Sequence, residues 1–241
     1  MMKLNNKRTI LVGLAFLSIC TFWQMYDTVI PKILTETFHL NETISGAIMA
    51  VDNVLALFLL PFFGGLSDRS HNKRLGKRTP FILCGTAAAL ILMNILPALD
   101  NSYAGQAAPF KLVSFIIVLG LLLIAMGTYR SPAVALMPDV TPKPLRSKAN
   151  AIINLMGAVG GILYLIVAAV LYPNSKIQGL DHVNYQPLFL VVAAIMAIAV
   201  LVMFLTIREP RLTAENQALE ARHPEWNLAE DDGSGHETLP P

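Results

Sequence analysis

The sequence predicts an all-α membrane protein built from six transmembrane helices. Three observations support this fold class. Of the 241 residues, 54% are hydrophobic and only 14% are charged, and the mean hydropathy is +0.56. Six apolar stretches are each long enough to cross a bilayer core of about 30 Å, which needs about 20 helical residues. Basic residues are concentrated in alternate connections between these stretches, as membrane topology requires.

The chain divides into a short N-terminal segment, a membrane domain and a polar tail. These are residues 1–8, 9–207 and 208–241. Within the membrane domain, the predicted spans cover about residues 9–30, 44–66, 80–98, 112–137, 149–172 and 187–207. The tail becomes acidic after its first residues, and we interpret it as a hydrated cytoplasmic linker or a short surface helix.

The charges of the connections predict the orientation in the membrane. The N-terminus, the second and fourth loops and the start of the tail are basic, whereas the first, third and fifth loops carry few basic residues. The positive-inside rule places the basic connections in the cytoplasm. We therefore expect a multi-pass protein of the cell membrane with both termini cytoplasmic, as an even number of spans requires.

Composition and spacing argue against other classes. A net charge of +2 without a basic stripe gives no reason to expect a nucleic-acid partner. Cys20 and Cys84 lie inside apolar runs, so we predict neither a disulfide nor a metal site from them. The sequence offers no Ser/His or Cys/His pair with plausible spacing and no phosphate-binding glycine loop. We therefore predict neither enzyme activity nor a cofactor.

The most specific motif follows the second predicted span. It reads Gly64-Gly65-Leu66-Ser67-Asp68-Arg69 and then Arg74-Leu75-Gly76-Lys77-Arg78-Thr79-Pro80-Phe81-Ile82. Glycines let two helices approach closely, and a carboxylate at the membrane boundary can accept charge-assisted hydrogen bonds from Arg and Lys. Such a loop can form bonds in one conformation and break them in another. A merely topogenic basic loop is the alternative.

A second motif joins the fourth and fifth spans. It reads Ser131-Pro132-Ala133-Val134-Ala135-Leu136-Met137-Pro138-Asp139, followed by Arg146 and Ala149-Asn150-Ala151. Together the two motifs resemble the major facilitator superfamily, in the form seen in sucrose and other disaccharide proton symporters and echoed in glycoside-pentoside-hexuronide cation symporters. The resemblance covers nearly the whole chain. It implies one six-helix half of a transporter, the N-terminal one, folded as two inverted three-helix repeats.

The resemblance also implies a cytoplasmic gate motif. Its members are Gly64, Asp68, Arg69, Arg74, Gly76, Lys77, Arg78, Asp139 and Arg146. We expect Asp139 to lie at the cytoplasmic surface near Asp68 and the basic loop. For Asp139, a simple helix boundary is the alternative.

Three ionisable residues fall inside predicted spans: Asp27, Asp52 and Arg130. A charge at the centre of a span costs at least about 2.5–3.5 kcal/mol, which makes each a functional candidate. Arg130 needs a partner. It is either a substrate and coupling group paired with Asp27 or Asp52, or part of a static ion pair.

The first span carries a candidate sugar site. Trp23, Gln24 and Asp27 share one helical face with Cys20. An aromatic ring can stack on the apolar face of a pyranose, while an amide and a carboxylate bind its hydroxyl groups. Alternatively, Asp27 lies in the outer interfacial water close to Pro31.

Asp52 is the candidate coupling acid of the second span. Melibiose-type symporters carry two cation-binding acids on this span, but Ala56 and Leu60 occupy the corresponding places here. We therefore expect proton coupling rather than sodium coupling, because a medium of low dielectric constant lets a carboxyl group hold a proton near neutral pH. A structural hydrogen-bond acceptor is the alternative.

The fifth span has polar and small residues on one face: Asn150, Asn154, Gly157, Gly161 and Tyr164. This spacing is most often used for helix packing. Asn154 and Tyr164 remain secondary candidates for lining a cavity.

The function we expect is proton-coupled symport of a sugar or glycoside by alternating access. The expected partners are the sugar, protons, the lipid bilayer and a second six-helix half. That half belongs to the same longer chain or to a separate chain, or is supplied by a homodimer. The alternative is a membrane receptor without transport activity, or the remnant of a truncated transporter gene.

Overall fold

The computed structural model describes residues 4–70, 72, 74–104, 109–180 and 182–226. The described residues contain eight α-helices and a short 3-10 turn at Lys143–Leu145, and no strand. The helices are α1 Asn6–Glu36, α2 Glu42–Asp68, α3 Thr79–Tyr103, α4 Pro109–Val140, α5 Arg146–Leu171, α6 Asn174–Ile177, α7 Gln186–Thr206 and α8 Glu209–Arg222. The predicted all-α fold is confirmed. The end of the predicted tail, residues 227–241, lies outside the described residues.

Six of these helices are long and apolar enough to cross a membrane: α1 to α5 and α7. They match the six predicted spans one for one. The largest differences occur where α1 and α3 continue to Glu36 and Tyr103. A hydropathy pattern detects only the part of a helix that lies in hydrocarbon, whereas the backbone stays helical into the interfacial layer.

Two helices begin at asparagine caps. The Asn5 side chain accepts a hydrogen bond from the Arg8 backbone N–H at 3.1 Å, and that of Asn41 accepts one from the Ile44 N–H at 2.8 Å. Each cap satisfies one of the N–H groups that a helix start leaves without a partner. The starts of α1 and α2 are therefore defined by local sequence.

The second and third helices of each triplet pack against the first helix of the other triplet. The first three spans are α1, α2 and α3, and the second three are α4, α5 and α7. α2 packs on α4, and α5 packs on α1, so the middle helix of each triplet contacts the first helix of the other. α3 likewise packs on α4 and α7 on α1. Because successive spans alternate in direction, α1 and α4 run in opposite directions, as inverted repeats require.

The core lies around α1 and α4, and α2 lies at an edge. Fourteen residues of α1 are buried, among them Phe22 and Tyr26. In α2 only Ser45 and Ser67 are buried, and Phe58 is 67% exposed. An apolar helix with so little burial needs lipid or another apolar surface around it.

The contact between α1 and α5 depends on Gly160. A Cβ atom added there would lie 2.2 Å from the Leu17 carbonyl oxygen, and the Thr21 hydroxyl donates a hydrogen bond to the Gly160 carbonyl at 3.0 Å. Gly157 also faces α1, at Cys20. Small residues let the two backbones approach this closely. The packing expected of the fifth span thus involves Gly160 as well as Gly157.

We predict that Gly160→Ala destabilises the protein by about 1–3 kcal/mol, because the added methyl group forces α1 and α5 apart. The matched control is Gly161→Ala, since a Cβ atom there would meet only Gln24 Oε1, at 3.7 Å. The midpoint of thermal unfolding in detergent, measured on the full chain, checks both variants. Equal midpoints for the two variants would contradict the proposed close approach.

Candidate functional site

A single guanidinium group joins three helix ends on the predicted cytoplasmic side. Arg78 Nε donates a hydrogen bond to Asp139 Oδ2 at 3.0 Å, Nη2 donates to Asp68 Oδ1 at 2.5 Å, and Nη1 donates to Ser67 Oγ at 2.5 Å. Arg78 is only 5% exposed. The fork of the guanidinium group lets one residue bind carboxylates of both α2 and α4 at the start of α3.

Lys77 completes a four-charge cluster with the same carboxylates. Its Nζ lies 3.2 Å from Asp139 Oδ2 and 3.6 Å from Asp68 Oδ1. Two cations and two anions therefore balance each other where the basic loop meets the membrane boundary. We call Asp68, Lys77, Arg78 and Asp139 the charge cluster.

The other members of the predicted gate motif have different surroundings. The Gly64 carbonyl accepts from Ser67 Oγ at 2.8 Å, and its Cα faces Ser131 of α4. Arg69 and Arg74 are exposed. Arg146 Nη2 donates to the Pro138 carbonyl and to Glu220 Oε1, both at 3.2 Å. Only part of the motif, the charge cluster and Gly64, thus comes together around Arg78.

Glu209, at the start of α8, supplies the missing cap of α3. Its carboxylate accepts hydrogen bonds from the backbone N–H groups of Lys77, Arg78 and Thr79 at 2.8, 2.9 and 2.7 Å, and from the Thr79 hydroxyl at 2.7 Å. Glu209 is 2% exposed. A carboxylate at a helix N-terminus also interacts favourably with the helix dipole. The segment after the last span therefore holds the start of α3 and, through it, Arg78.

Gly76 is required for this cap. Its φ of +93° lies in the left-handed region, and a Cβ atom there would lie 2.4 Å from Glu209 Cδ. Only glycine combines that backbone conformation with room for the carboxylate. The glycine of the loop motif therefore has a structural explanation.

Sequence reasoning missed Glu209 because it opens a polar segment with many acidic residues. One signal was available: Arg78, at the N-cap position of α3, is a poor capping residue, so an acceptor had to come from elsewhere. Of the two interpretations of the tail, a hydrated linker or a short helix, residues 209–222 adopt the helix, α8. Asn216 Nδ2 donates to the Asp139 carbonyl at 3.2 Å and so fixes α8 on the end of α4.

The candidate sugar-binding face of α1 is open. Asp27 is exposed, and Gln24 and Trp23 are half-buried. The guanidinium carbon of Arg130 lies 5.4 Å from the centroid of the Trp23 ring, a cation–π arrangement. The structure therefore brings the predicted aromatic residue of α1 and the predicted cation of α4 into contact.

Asp52 lies beside this pair. With Trp23 and Arg130 it lines a small cavity of about 20 Å³ between α1, α2 and α4. Asp52 Oδ1 and Trp23 Nε1 are both buried and have no hydrogen-bond partner among the described residues. The Asp52 carboxylate interacts electrostatically with Arg130, and that of Asp27 with Asp52. The three ionisable residues of the spans thus belong to one region.

A direct ion pair of Arg130 with Asp27 or Asp52 was expected but is not found within 4.0 Å among the described residues. The physical reason is the position of the guanidinium group over the Trp23 ring, which gives the cation an aromatic partner. Of the two secondary candidates on the fifth span, Tyr164 is only 1% exposed and lines no open surface, which leaves it a packing role. Asn154 is exposed.

Glu209→Gln should loosen the start of α3. The amide replaces one acceptor oxygen by an N–H donor that faces other donors, and each buried N–H left without an acceptor costs about 1–3 kcal/mol. We expect faster hydrogen exchange at the backbone amides of Lys77, Arg78 and Thr79 in the full chain. Glu215→Gln is the control, since that side chain is 47% exposed. Unchanged exchange in Glu209→Gln would exclude the capping role.

Comparison with known proteins places this architecture in a family. Residues 12–230 match the model of the Major Facilitator Superfamily. A sucrose transport protein of Arabidopsis thaliana is 32% identical over 140 residues, which are 53% of this chain and 23% of the relative. An alpha-ketoglutarate permease of Escherichia coli is 27% identical over 146 residues, 59% of this chain and 31% of the relative.

An isoprimeverose transporter of Lactiplantibacillus pentosus is 23% identical over 183 residues, 76% of this chain and 36% of the relative. The matched region therefore spans about a quarter to a third of the length of these curated relatives. The family match covers the first candidate span from residue 12, the other five in full and both loop motifs. The chain belongs to the Major Facilitator Superfamily.

Proposed function

We propose that this chain is the N-terminal half of a secondary transporter that carries a sugar together with protons by alternating access. The observation that carries the proposal is the open polar face of α1 beside Arg130 and Asp52. Two of the relatives named above are called transporters of a sugar, sucrose or isoprimeverose. In this family architecture the substrate site lies at the bilayer midplane between two such halves.

The residues of this face suit a sugar. The Trp23 ring offers apolar contact to a pyranose, and its Nε1–H has no partner among the described residues. Gln24 and Asp27 offer an amide and a carboxylate to hydroxyl groups. Arg130 adds N–H donors in a fixed fork from the facing helix. Together these groups give a sugar both a flat surface and several hydrogen bonds.

Asp52 is the proposed proton carrier. It is the one carboxylate within the predicted second span, residues 44–66, with Ala56 and Leu60 in the following turns, which favours a proton over a sodium ion. Its unpartnered oxygen beside Arg130 makes its protonation state sensitive to the position of that cation. Movement of Arg130 towards a bound substrate would therefore change the affinity of Asp52 for its proton, which is a coupling between the two ligands.

A second candidate substrate is an organic anion. The alpha-ketoglutarate permease relative and the cationic Arg130 both support this alternative. A guanidinium group binds a carboxylate with two parallel hydrogen bonds. The two candidates differ in what they require of the face on α1, because a small anion does not need the Trp23 ring.

Uptake in vesicles that contain the full-length protein tests the proposal. We expect an inward proton gradient to drive accumulation of a labelled disaccharide, and we expect Asp52→Asn to abolish accumulation while leaving exchange of sugar across the membrane. The reason is that an asparagine can neither take up nor release a proton. Trp23→Ala should weaken sugar binding by about tenfold or more, since aromatic contacts and buried area are lost.

The matched control is Glu36→Gln, because Glu36 ends α1 outside the candidate site. The single variants Asp27→Asn, Asp52→Asn and Arg130→Gln are tested in the same way. If all three accumulated the sugar fully, this site would be excluded. Accumulation of alpha-ketoglutarate but of no sugar would favour the organic anion.

A second test addresses the charge cluster as a gate. Arg78→Lys keeps the positive charge but cannot bind Asp68, Asp139 and Ser67 at once. We expect the transport rate of this variant to fall by at least as large a factor as its affinity for the substrate. The reason is that the conformation closed on the cytoplasmic side is destabilised. Arg74→Lys is the control, as Arg74 is exposed on the same loop. Equal transport rates for the two variants would argue against a gate.

A further inference from the structure

A basic cleft lies where α1, α7 and α8 meet. Its volume is about 500 Å³, and it is lined by Lys7, Arg8, Arg208 and Arg211, with Glu215 as its acidic member. Lys7 and Arg8 come from the first turn of α1, Arg208 follows α7, and Arg211 and Glu215 belong to α8. Four cations from three helix ends therefore surround one space and face a single carboxylate.

Glu215 neutralises only part of this charge. It binds Arg211 Nε at 2.8 Å and Arg8 Nη2 at 3.2 Å. Arg211 and Arg8 hold the pKa of this exposed carboxyl group below its usual value, so it is ionised at neutral pH. The side chains of Lys7 and Arg208 have no ion pair among the described residues, and both are exposed. They are available to an anion from outside the protein.

The position of the cleft identifies the kind of anion. A neighbouring cleft of about 400 Å³ shares Arg208 and Arg211 and adds the apolar side chains of Phe204 and Leu205, the latter 69% exposed. Phe204 and Leu205 belong to the last turn of α7, a candidate membrane span. Cations thus lie directly beside apolar surface that faces hydrocarbon. Such an arrangement fits a molecule with an anionic head and an apolar chain.

We propose that this cleft binds the phosphate headgroup of an anionic phospholipid in the leaflet that faces the chain termini. Basic pockets between helix ends on the cytoplasmic side commonly bind such headgroups, and each nearby cation contributes about 1 kcal/mol, or about fivefold in affinity. The acyl chains would lie along Phe204 and Leu205. The inference rests on the predicted cytoplasmic orientation of the termini and not on the transported substrate.

Bound lipid would also act on the charge cluster. Arg208 immediately precedes Glu209, the residue that caps α3 and holds Arg78. A headgroup that fixes Arg208 therefore fixes the position of that cap. Lipid binding and closure of the cytoplasmic side would then favour each other, as linked equilibria require.

Native mass spectrometry of the full chain in detergent tests the site, with phosphatidylglycerol, phosphatidylcholine of the same acyl chains, and inorganic phosphate as probes. We expect retention of phosphatidylglycerol but not of phosphatidylcholine. The double variant Lys7→Ala/Arg208→Ala should bind phosphatidylglycerol about twenty-five-fold more weakly, and each single variant about fivefold more weakly. Lys148→Ala, an exposed cation at the start of α5, is the matched control and should bind normally.

Other outcomes overturn the proposal. Equal retention of phosphatidylcholine, or normal binding by the double variant, would show that the cleft is not a headgroup site. Displacement of the lipid by an equal concentration of inorganic phosphate would assign the cleft to a soluble anion. Binding that arises only after deletion of residues 227–241 would assign it to the acidic end of the chain itself.

Discussion

The arrangement of the helix ends around the α2–α3 loop depends on the buried guanidinium group of Arg78. A cation that is only 5% exposed requires anionic partners, because the free energy of removing it from water is large. Asp68 and Asp139 supply them from α2 and α4, and Glu209 fixes the backbone from which the side chain extends. Removal of Asp139, the less exposed of the two aspartates, would leave the buried Arg78 cation short of an anionic partner.

This dependence links the two helix triplets. Asp68 ends α2 and Arg78 begins α3, while Asp139 and Glu209 come from the second half of the chain. The helix interfaces between the triplets are mostly apolar, with a few hydrogen bonds such as that from Ser131 Oγ to the Leu60 carbonyl at 2.7 Å. These contacts lie away from the α2–α3 loop and do not select one conformation of it. The charge cluster provides the selective contact, because charge-assisted hydrogen bonds need a particular geometry.

The sequence was informative wherever a property is local. Apolar length predicted six spans, and the motif residues Asp68, Lys77, Arg78 and Asp139 come together as the resemblance implied. Contacts between distant segments that no motif marks could not be predicted from the sequence. Glu209 caps a helix that begins 130 residues earlier, and Arg130 lies over Trp23 rather than against a carboxylate, because helix rotation decides which side chains meet. The roles of Asp27 and Asp52 stay predictions.

The two carboxylates of the charge cluster differ in a way that matters for a reversible contact. The Asp68 side chain is 55% exposed and that of Asp139 is 20% exposed. Water can replace the hydrogen bonds of Asp68 at little cost, whereas separation of Asp139 from Arg78 leaves charges in a drier environment. The contact with α2 should therefore break before the contact with α4. Since α2 is also the least buried of the candidate spans, its end at Asp68 is the part of the bundle best able to move.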